Sequence, residues 1–256
     1  MIPIGDDNSD RHLTPMVNYL FIAANILVFI FLQKMGNEFS FTYAFSTVPA
    51  EILTGEDIVT QGRVIRDAST GQTMQVPGLQ PTPVPVYFTL ISSMFMHGGW
   101  MHLGGNMLYL WVFGDNIENR LGHMRYLIFY LLCGIIASLS HVFITGGSSE
   151  SSLIPSLGAS GAISGVLGGY MLLFPKRKVR MFMGRGIVEV PSIIALGIWI
   201  VFQVISGIGV IDDGSGGGIA YAAHIGGFAA GLLLIKLFDR GVRDAPPPKE
   251  RRGFFR

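Results

Sequence analysis

Hydrophobic residues along the chain gather into long apolar stretches that polar loops separate. A helix needs about 20 mainly apolar residues to cross a bilayer core, and each stretch reaches roughly that length with its flanks. Six stretches run from about Met16 to Leu32, His102 to Ile117, Tyr126 to Ile144, Ser160 to Phe174, Ile193 to Ile208 and Ile219 to Phe238. The pattern therefore predicts an all-α, polytopic membrane protein with six transmembrane helices.

Composition agrees with this class. Half of the 256 residues are apolar and only 14% are charged, whereas about 25% are charged in a typical soluble domain. The single cysteine, Cys133, excludes an intrachain disulfide. Asp6 and Asp7 near the N-terminus, without a basic region beside them, predict that there is no signal peptide.

Lysine and arginine are distributed unevenly between the loops. They occur after the second stretch, after the fourth and in the tail, whereas the loops after the third and fifth stretches contain neither. The positive-inside rule then predicts that both termini are cytoplasmic. We expect a multi-pass protein of a prokaryotic inner membrane, with membrane lipid around it and no nucleic-acid partner.

The loops define the predicted domain organisation. Residues 1–15 form a short cytoplasmic N-terminus, 16–240 a six-helix membrane domain, and 241–256 a basic, disordered tail. Residues 35–100 form a long first outer loop. Gly, Pro, Thr and Gln in its middle, Gly55 to Pro85, predict irregular structure, and Val86 to Met101 an interfacial or re-entrant segment.

Polar residues within the stretches are the functional candidates, because burying them in a bilayer is costly. His102 and Asn106 are four residues apart, hence on one helix face. With Ser160 and His224, they all fall near the outer side in the predicted topology. Each of these residues also has another explanation. Ser160 could be a helix N-cap or a small residue at a tight helix contact, and His102 and Asn106 could form a polar clamp between helices. His224 could be the proton relay of a transporter.

Small residues favour a close contact between the fourth and sixth stretches. The spacing of small residues that lets two membrane helices approach closely occurs in both. These residues are Gly161, Gly165, Gly168 and Gly169 in one stretch, and Ala223, Gly227 and Gly231 in the other. If these faces meet, Ser160 reaches His224, and a serine beside a histidine base is the minimal activated nucleophile for acyl transfer.

Other polar residues receive no catalytic role. His97, His123 and His141 have interfacial positions, and Asp212 or Asp213 is a remote candidate for a third group behind His224. The soluble-hydrolase motif G-x-S-x-G does not fit, since position 162 is alanine. Two separated histidines are too few for a metal site, so we predict neither a metal nor a cofactor.

Three motifs together identify a family resemblance. They are the segment from His97 to Asn106, Gly158-Ala159-Ser160-Gly161, and Ala223-His224-Ile225-Gly226-Gly227. With the turn from Glu118 to Gly122, they make the region from Val86 to Phe238 resemble the rhomboid family of intramembrane serine proteases.

The resemblance implies a six-helix rhomboid-like bundle with a Ser160–His224 dyad that lacks an acid. His102, Asn106 and the Ser160 backbone N–H would form the oxyanion hole, with Gly158 in the adjoining loop. The family cleaves single-span membrane proteins near the outer membrane face through an acyl-enzyme. It prefers small residues before the bond and helix-weakening residues after it.

The resemblance also suggests a substrate gate and shows two departures. Trp199, Phe202 and Gln203 in the fifth stretch resemble the family's proposed gate. Where some members have a Trp-Arg pair this chain has Phe88-Thr89. Where some have a tyrosine that stacks on the histidine, it has Ser164. A catalytically silent relative that binds membrane clients is the alternative function, and the oligomeric state stays open.

Overall fold

The computed structural model describes residues 2–66, 73–147, 151–184, 186–213 and 218–242. The fold is mostly helical. Ten α-helices in this part are α1 (Met16–Leu27), α2 (Phe39–Ala44), α3 (Pro49–Thr54), α4 (Thr89–Ser92), α5 (Trp100–Tyr109), α6 (Asp115–Leu121), α7 (His123–Thr145), α8 (Ser160–Leu173), α9 (Ser192–Asp213) and α10 (Gly218–Phe238). Five strands are β1 (Ile2–Asp6), β2 (Arg63–Arg66), β3 (Thr73–Val76), β4 (Lys178–Phe182) and β5 (Ile187–Pro191).

Shorter helical turns extend several of these elements. A π-helical turn, Val28–Leu32, continues α1, and another, Leu110–Gly114, joins α5 to α6. Turns of 3-10 helix, Val86–Phe88 and Ser93–Phe95, flank α4. The predicted interfacial segment is therefore a short helical stretch that leads into α5.

Helix α8 lies in the centre of the bundle. Every residue from Gly161 to Tyr170 is buried, and α7 and α10 pack against it. Six of these ten residues are glycine, alanine or serine. Because these side chains are small or absent, the neighbouring helices approach the backbone of α8 closely. The predicted contact between the fourth and sixth stretches is confirmed.

The prediction of an all-α chain is wrong in two places. Strand β1 pairs with β4, and β4 with β5, in an antiparallel sheet of three strands. The N-terminal segment and the basic loop after α8 therefore fold together. In the predicted first outer loop, β2 and β3 form a second antiparallel pair within the stretch predicted to be irregular. The predicted disordered tail lies almost entirely outside the described residues.

The turn that contains Glu118 ties three elements together at the end of the bundle opposite Ser160. Both carboxylate oxygens of Glu118 accept bonds from the backbone N–H groups of Val17 and Asn18 (2.9 and 2.7 Å). They satisfy donors that the first turn of α1 leaves free. Arg120 pairs with Asp239 after α10 (2.5 Å). Polar residues are thus buried at this end too, whereas the sequence suggested that they gather on the outer side.

Two described helices are long and apolar enough to cross a membrane by length and composition, His123–Thr145 and Tyr221–Phe238. Shorter apolar helical segments are Met16–Leu32, Val86–Phe95, Ser160–Leu173 and Ser192–Ile208. A bundle of six crossing helices therefore stays a prediction.

Candidate active site

One cavity brings the predicted site residues together. It has a volume of about 540 Å³, and Ser160, His224, His102, Asn106 and Gly158 all line it. These residues come from α5, α8, α10 and the loop before α8, which are far apart in sequence. The structure therefore places every residue of the predicted dyad and oxyanion hole around one space.

Ser160 is the first residue of α8, and Ala159 occupies the N-cap position. Alanine at the N-cap offers no side-chain hydrogen bond, so Ser160 is not the N-cap of α8. The backbone N–H groups of a helix's first turn have no partner within the helix. They therefore supply donors beside the Ser160 hydroxyl.

Two side chains of α9 contact His224. Its Nδ1 lies 2.9 Å from Oε1 of Gln203, and its ring centroid lies 6.0 Å from that of Trp199. Ser164, at the position where some rhomboids have a tyrosine, donates its hydroxyl to the carbonyl oxygen of Ser160 (2.7 Å). It is thus engaged within α8.

His102 presents a nitrogen donor to the same space. The backbone N–H of Gly98 donates to Nδ1 of His102 (3.3 Å). A neutral imidazole that accepts at Nδ1 carries its proton at Nε2. A methyl group at Gly158 would lie 2.8 Å from that Nε2 and 3.7 Å from Oγ of Ser160. The absence of a side chain at Gly158, whose φ is 127°, therefore keeps His102 and Ser160 close together.

Asn106 is held by a residue to which the sequence assigned no chemistry. Its Nδ2 lies 2.9 Å from Nε2 of His97. Gln33 holds the His97 backbone at both ends, with Nε2 donating to its carbonyl (2.9 Å) and Oε1 accepting from its N–H (2.9 Å). His97 is fully buried within the protein. Burial and the nearby His102 lower the pKa of His97 to about 3, so its ring stays neutral.

The predicted first outer loop anchors the segment that precedes Ser160. Thr47 and Ser156 exchange two backbone hydrogen bonds (3.0 and 2.8 Å). The Thr47 hydroxyl lies within bonding distance of the Thr89 carbonyl and the Ser93 hydroxyl (2.9 Å each). The backbone carbonyl of Ser93 accepts from the N–H of Gly158 (2.9 Å). Thr89 is one of the two residues at the Trp-Arg position, so threonine and serine anchor the loop here.

The predicted gate residues lie on α9 beside the cavity. Trp199 lines both the cavity and a neighbouring one of about 400 Å³, whereas Phe202 lines only the second. Pro3 of β1 and Tyr109 of α5 also line this second cavity. Tyr109, Trp199 and Gln203 line both cavities, so these three residues lie between the predicted catalytic space and a largely apolar one.

Acidic groups do not line the main cavity in the described part of the chain. The side chains of Asp212 and Asp213 lie outside the described part, so their suggested role behind His224 stays a prediction. The described residues also contain no cluster of His, Cys, Asp or Glu that could hold a metal ion. The chemistry available around Ser160 is therefore that of hydroxyl, imidazole and amide groups.

Comparisons with known proteins agree with the motifs. A family model described as the rhomboid domain matches residues 85–240. Rhomboid protein 1, mitochondrial, of Saccharomyces cerevisiae is 35% identical over 169 residues, 64% of this chain and 45% of that protein. Rhomboid protease GluP of Bacillus subtilis is 31% identical over 230 residues, 87% of this chain and 38% of that protein. This chain spans less than half the length of these two curated relatives.

Proposed function

The chain belongs to the rhomboid family, and we propose that it is an intramembrane serine endopeptidase with a Ser160–His224 dyad. The single observation that carries this proposal is the shared cavity, in which the nucleophile, the base and the oxyanion donors line one space. Two of its relatives' names are those of proteases: GluP of Bacillus subtilis and rhomboid-type serine protease 2 of Emericella nidulans.

In the proposed reaction, His224 removes the proton from the Ser160 hydroxyl as the oxygen attacks a substrate carbonyl. The oxyanion that forms accepts hydrogen bonds from the backbone N–H of Ser160, from His102 Nε2 and from Asn106 Nδ2. His224 then gives its proton to the leaving amine, and an acyl-enzyme remains. Water activated by the same histidine releases the second product.

The length of α8 supports a site below the membrane surface. Its 14 residues span about 21 Å at 1.5 Å per residue, less than the roughly 30 Å of a bilayer core. A helix of this length that begins at Ser160 and ends at the inner boundary leaves the serine beneath the outer boundary. We propose six crossing helices, 16–240, with both termini in the cytoplasm and surrounding lipid.

The proposed substrates are single-span membrane proteins. The backbone of a membrane helix is fully hydrogen-bonded internally, so a substrate must unwind before its carbonyl reaches Ser160. Small residues before the bond and helix-weakening residues after it meet this requirement. A largely apolar second cavity next to Trp199 is consistent with entry of such a segment from the lipid side.

Labelling with a fluorophosphonate probe tests the proposal. We expect the purified wild type to react, and Ser160→Ala and His224→Ala not to react while their melting temperatures stay within a few degrees. In proteoliposomes, only the wild type should cleave a single-span reporter with a Gly/Ala-rich segment near the outer face. Full activity of Ser160→Ala would refute the mechanism. A folded wild type without labelling or cleavage would favour the silent, client-binding alternative.

A further inference from the structure

The proposed dyad needs a group that fixes which nitrogen of His224 carries the proton. In a serine–histidine–aspartate triad, a carboxylate accepts from Nδ1–H and leaves Nε2 free as the base. The described lining of this cavity contains no carboxylate. The position where some rhomboids have a stacking tyrosine is occupied by Ser164, whose hydroxyl donates to the carbonyl oxygen of Ser160 (2.7 Å).

Gln203 occupies the place that such a carboxylate would take. Its Oε1 lies 2.9 Å from Nδ1 of His224, and an amide oxygen can only accept, so Nδ1 carries the proton. The remaining nitrogen, Nε2, is then unprotonated, as a general base must be. Trp199, one turn earlier on the same face of α9, lies beside the same ring (6.0 Å between centroids).

We propose that Gln203 is the positioning residue of the dyad, a neutral third member that holds His224 with Nε2 as the base. This inference rests on the proposed function. It also makes α9 part of the catalytic apparatus, because the residue that orients the base belongs to a different helix from the base itself. A displacement of α9 would break the Gln203–His224 bond.

Two substitutions at position 203 separate orientation from packing. Gln203→Leu keeps most of the volume and removes the acceptor, whereas Gln203→Glu keeps an acceptor of the same length. Ile205→Ala, an exposed position on the same helix, is the control for changes in α9. The probe is a fluorophosphonate. One readout is its labelling rate as a function of pH, and the other is the kcat and KM for cleavage of a single-span reporter in proteoliposomes.

We expect Gln203→Leu to lower the labelling rate and kcat by about 10- to 100-fold, the size of effect that misplacing a catalytic group produces. KM should change little. Gln203→Glu should keep most of the wild-type rate. The acidic limb of its pH profile should move to higher pH, because a carboxylate stabilises the imidazolium form of His224. Apart from His224, the titratable side chains in the described lining of the cavity are those of His102 and Tyr109, and neither variant alters them.

The outcomes distinguish this inference from the function on which it rests. If the wild type labels and Gln203→Leu labels as fast, Gln203 does not position the base, although the serine is active. If Gln203→Leu and Gln203→Glu are equally slow, residue 203 acts through packing and the inference is refuted. A wild type that does not label refutes the proposed function instead.

Discussion

Gly227 of α10 faces the carbonyl oxygen of Gly161 so closely that a methyl group on Gly227 would lie 2.1 Å from it. Four residues further, the same relationship joins Gly231 to the carbonyl of Gly165 (1.9 Å). Because the obstructing atoms belong to the backbone, no rotation of a side chain relieves the contact. The two helices that carry Ser160 and His224 are therefore spaced by the absence of Cβ atoms.

This spacing predicts that Gly227→Ala inactivates the protein. The added methyl group must push α10 away from α8, and overpacking of this kind costs about 1 to 3 kcal/mol of the free energy of unfolding. We expect fluorophosphonate labelling of Ser160 to fall by more than 10-fold and the melting temperature in detergent to drop.

Gly197→Ala is the matched control for this substitution. It also lies within a helix, α9, but a methyl group there meets nothing within 4 Å. We expect unchanged labelling and an equal or slightly higher melting temperature, since alanine favours a helix over glycine. Wild-type labelling by Gly227→Ala would mean that the helix spacing does not set the geometry of the dyad.

The bond between Asn106 and His97 predicts a graded loss of oxyanion stabilisation. Removal of one oxyanion donor costs about 10²- to 10³-fold in kcat, and we expect this for Asn106→Ala with little change in KM. His97→Ala removes only the group that orients the amide, so its effect should be smaller. The measurement is kcat and KM for the single-span reporter in proteoliposomes.

A double substitution and a conservative one check the assignment. If His97 acts through Asn106, the double variant should be no slower than Asn106→Ala alone. His97→Gln, which keeps an acceptor, should recover part of the rate that His97→Ala loses. Additive losses in the double variant would show that His97 contributes by another route.

Much of the site was predictable from the sequence because its residues obey local rules. Ser160 and His224 are polar groups in apolar stretches, and the glycine spacing around them is typical of a close helix contact. His97 was missed, although it begins the same motif as His102 and Asn106. Its position before the helix suggested an interface, whereas Gln33 holds its backbone from a distant part of the chain.

Contacts between distant polar residues were not predictable in the same way. Gln203 was interpreted only as part of a gate, because nothing in the sequence shows which helix face meets His224. The sheet of β1, β4 and β5 was missed for a related reason. Lys178 and Arg180 in β4 were interpreted only as a topology signal, and one of the two pairing partners of β4, the strand β1, lies near the N-terminus.

The buried carboxyl of Asp6 predicts how stability depends on pH. Its Oδ2 accepts from the hydroxyl of Tyr170 (2.6 Å) and from Nδ2 of Asn116 (2.7 Å). The pKa of Asp6 is raised from 3.8 to about 7, because burial and the nearby Asp115 raise it more than Tyr170 and Arg177 lower it. Between about pH 4 and 7 the folded protein thus keeps a proton that the unfolded chain has released. The contribution of Asp6 to stability therefore falls as pH rises through this window.

We expect the melting temperature of the wild type in detergent to fall between about pH 4 and 7, and Asp6→Asn to remove much of this slope. The variant has a lower melting temperature throughout, because an amide cannot accept at every position where the carboxyl does. Asp7→Asn is the control, since hydrogen bonds from Ser9 lower the pKa of Asp7 and it titrates below the window. Its slope should match the wild type. An unchanged slope in Asp6→Asn would show that another group takes up the proton, and Asp115, beside Asp6 in the same network, would be the next residue to substitute.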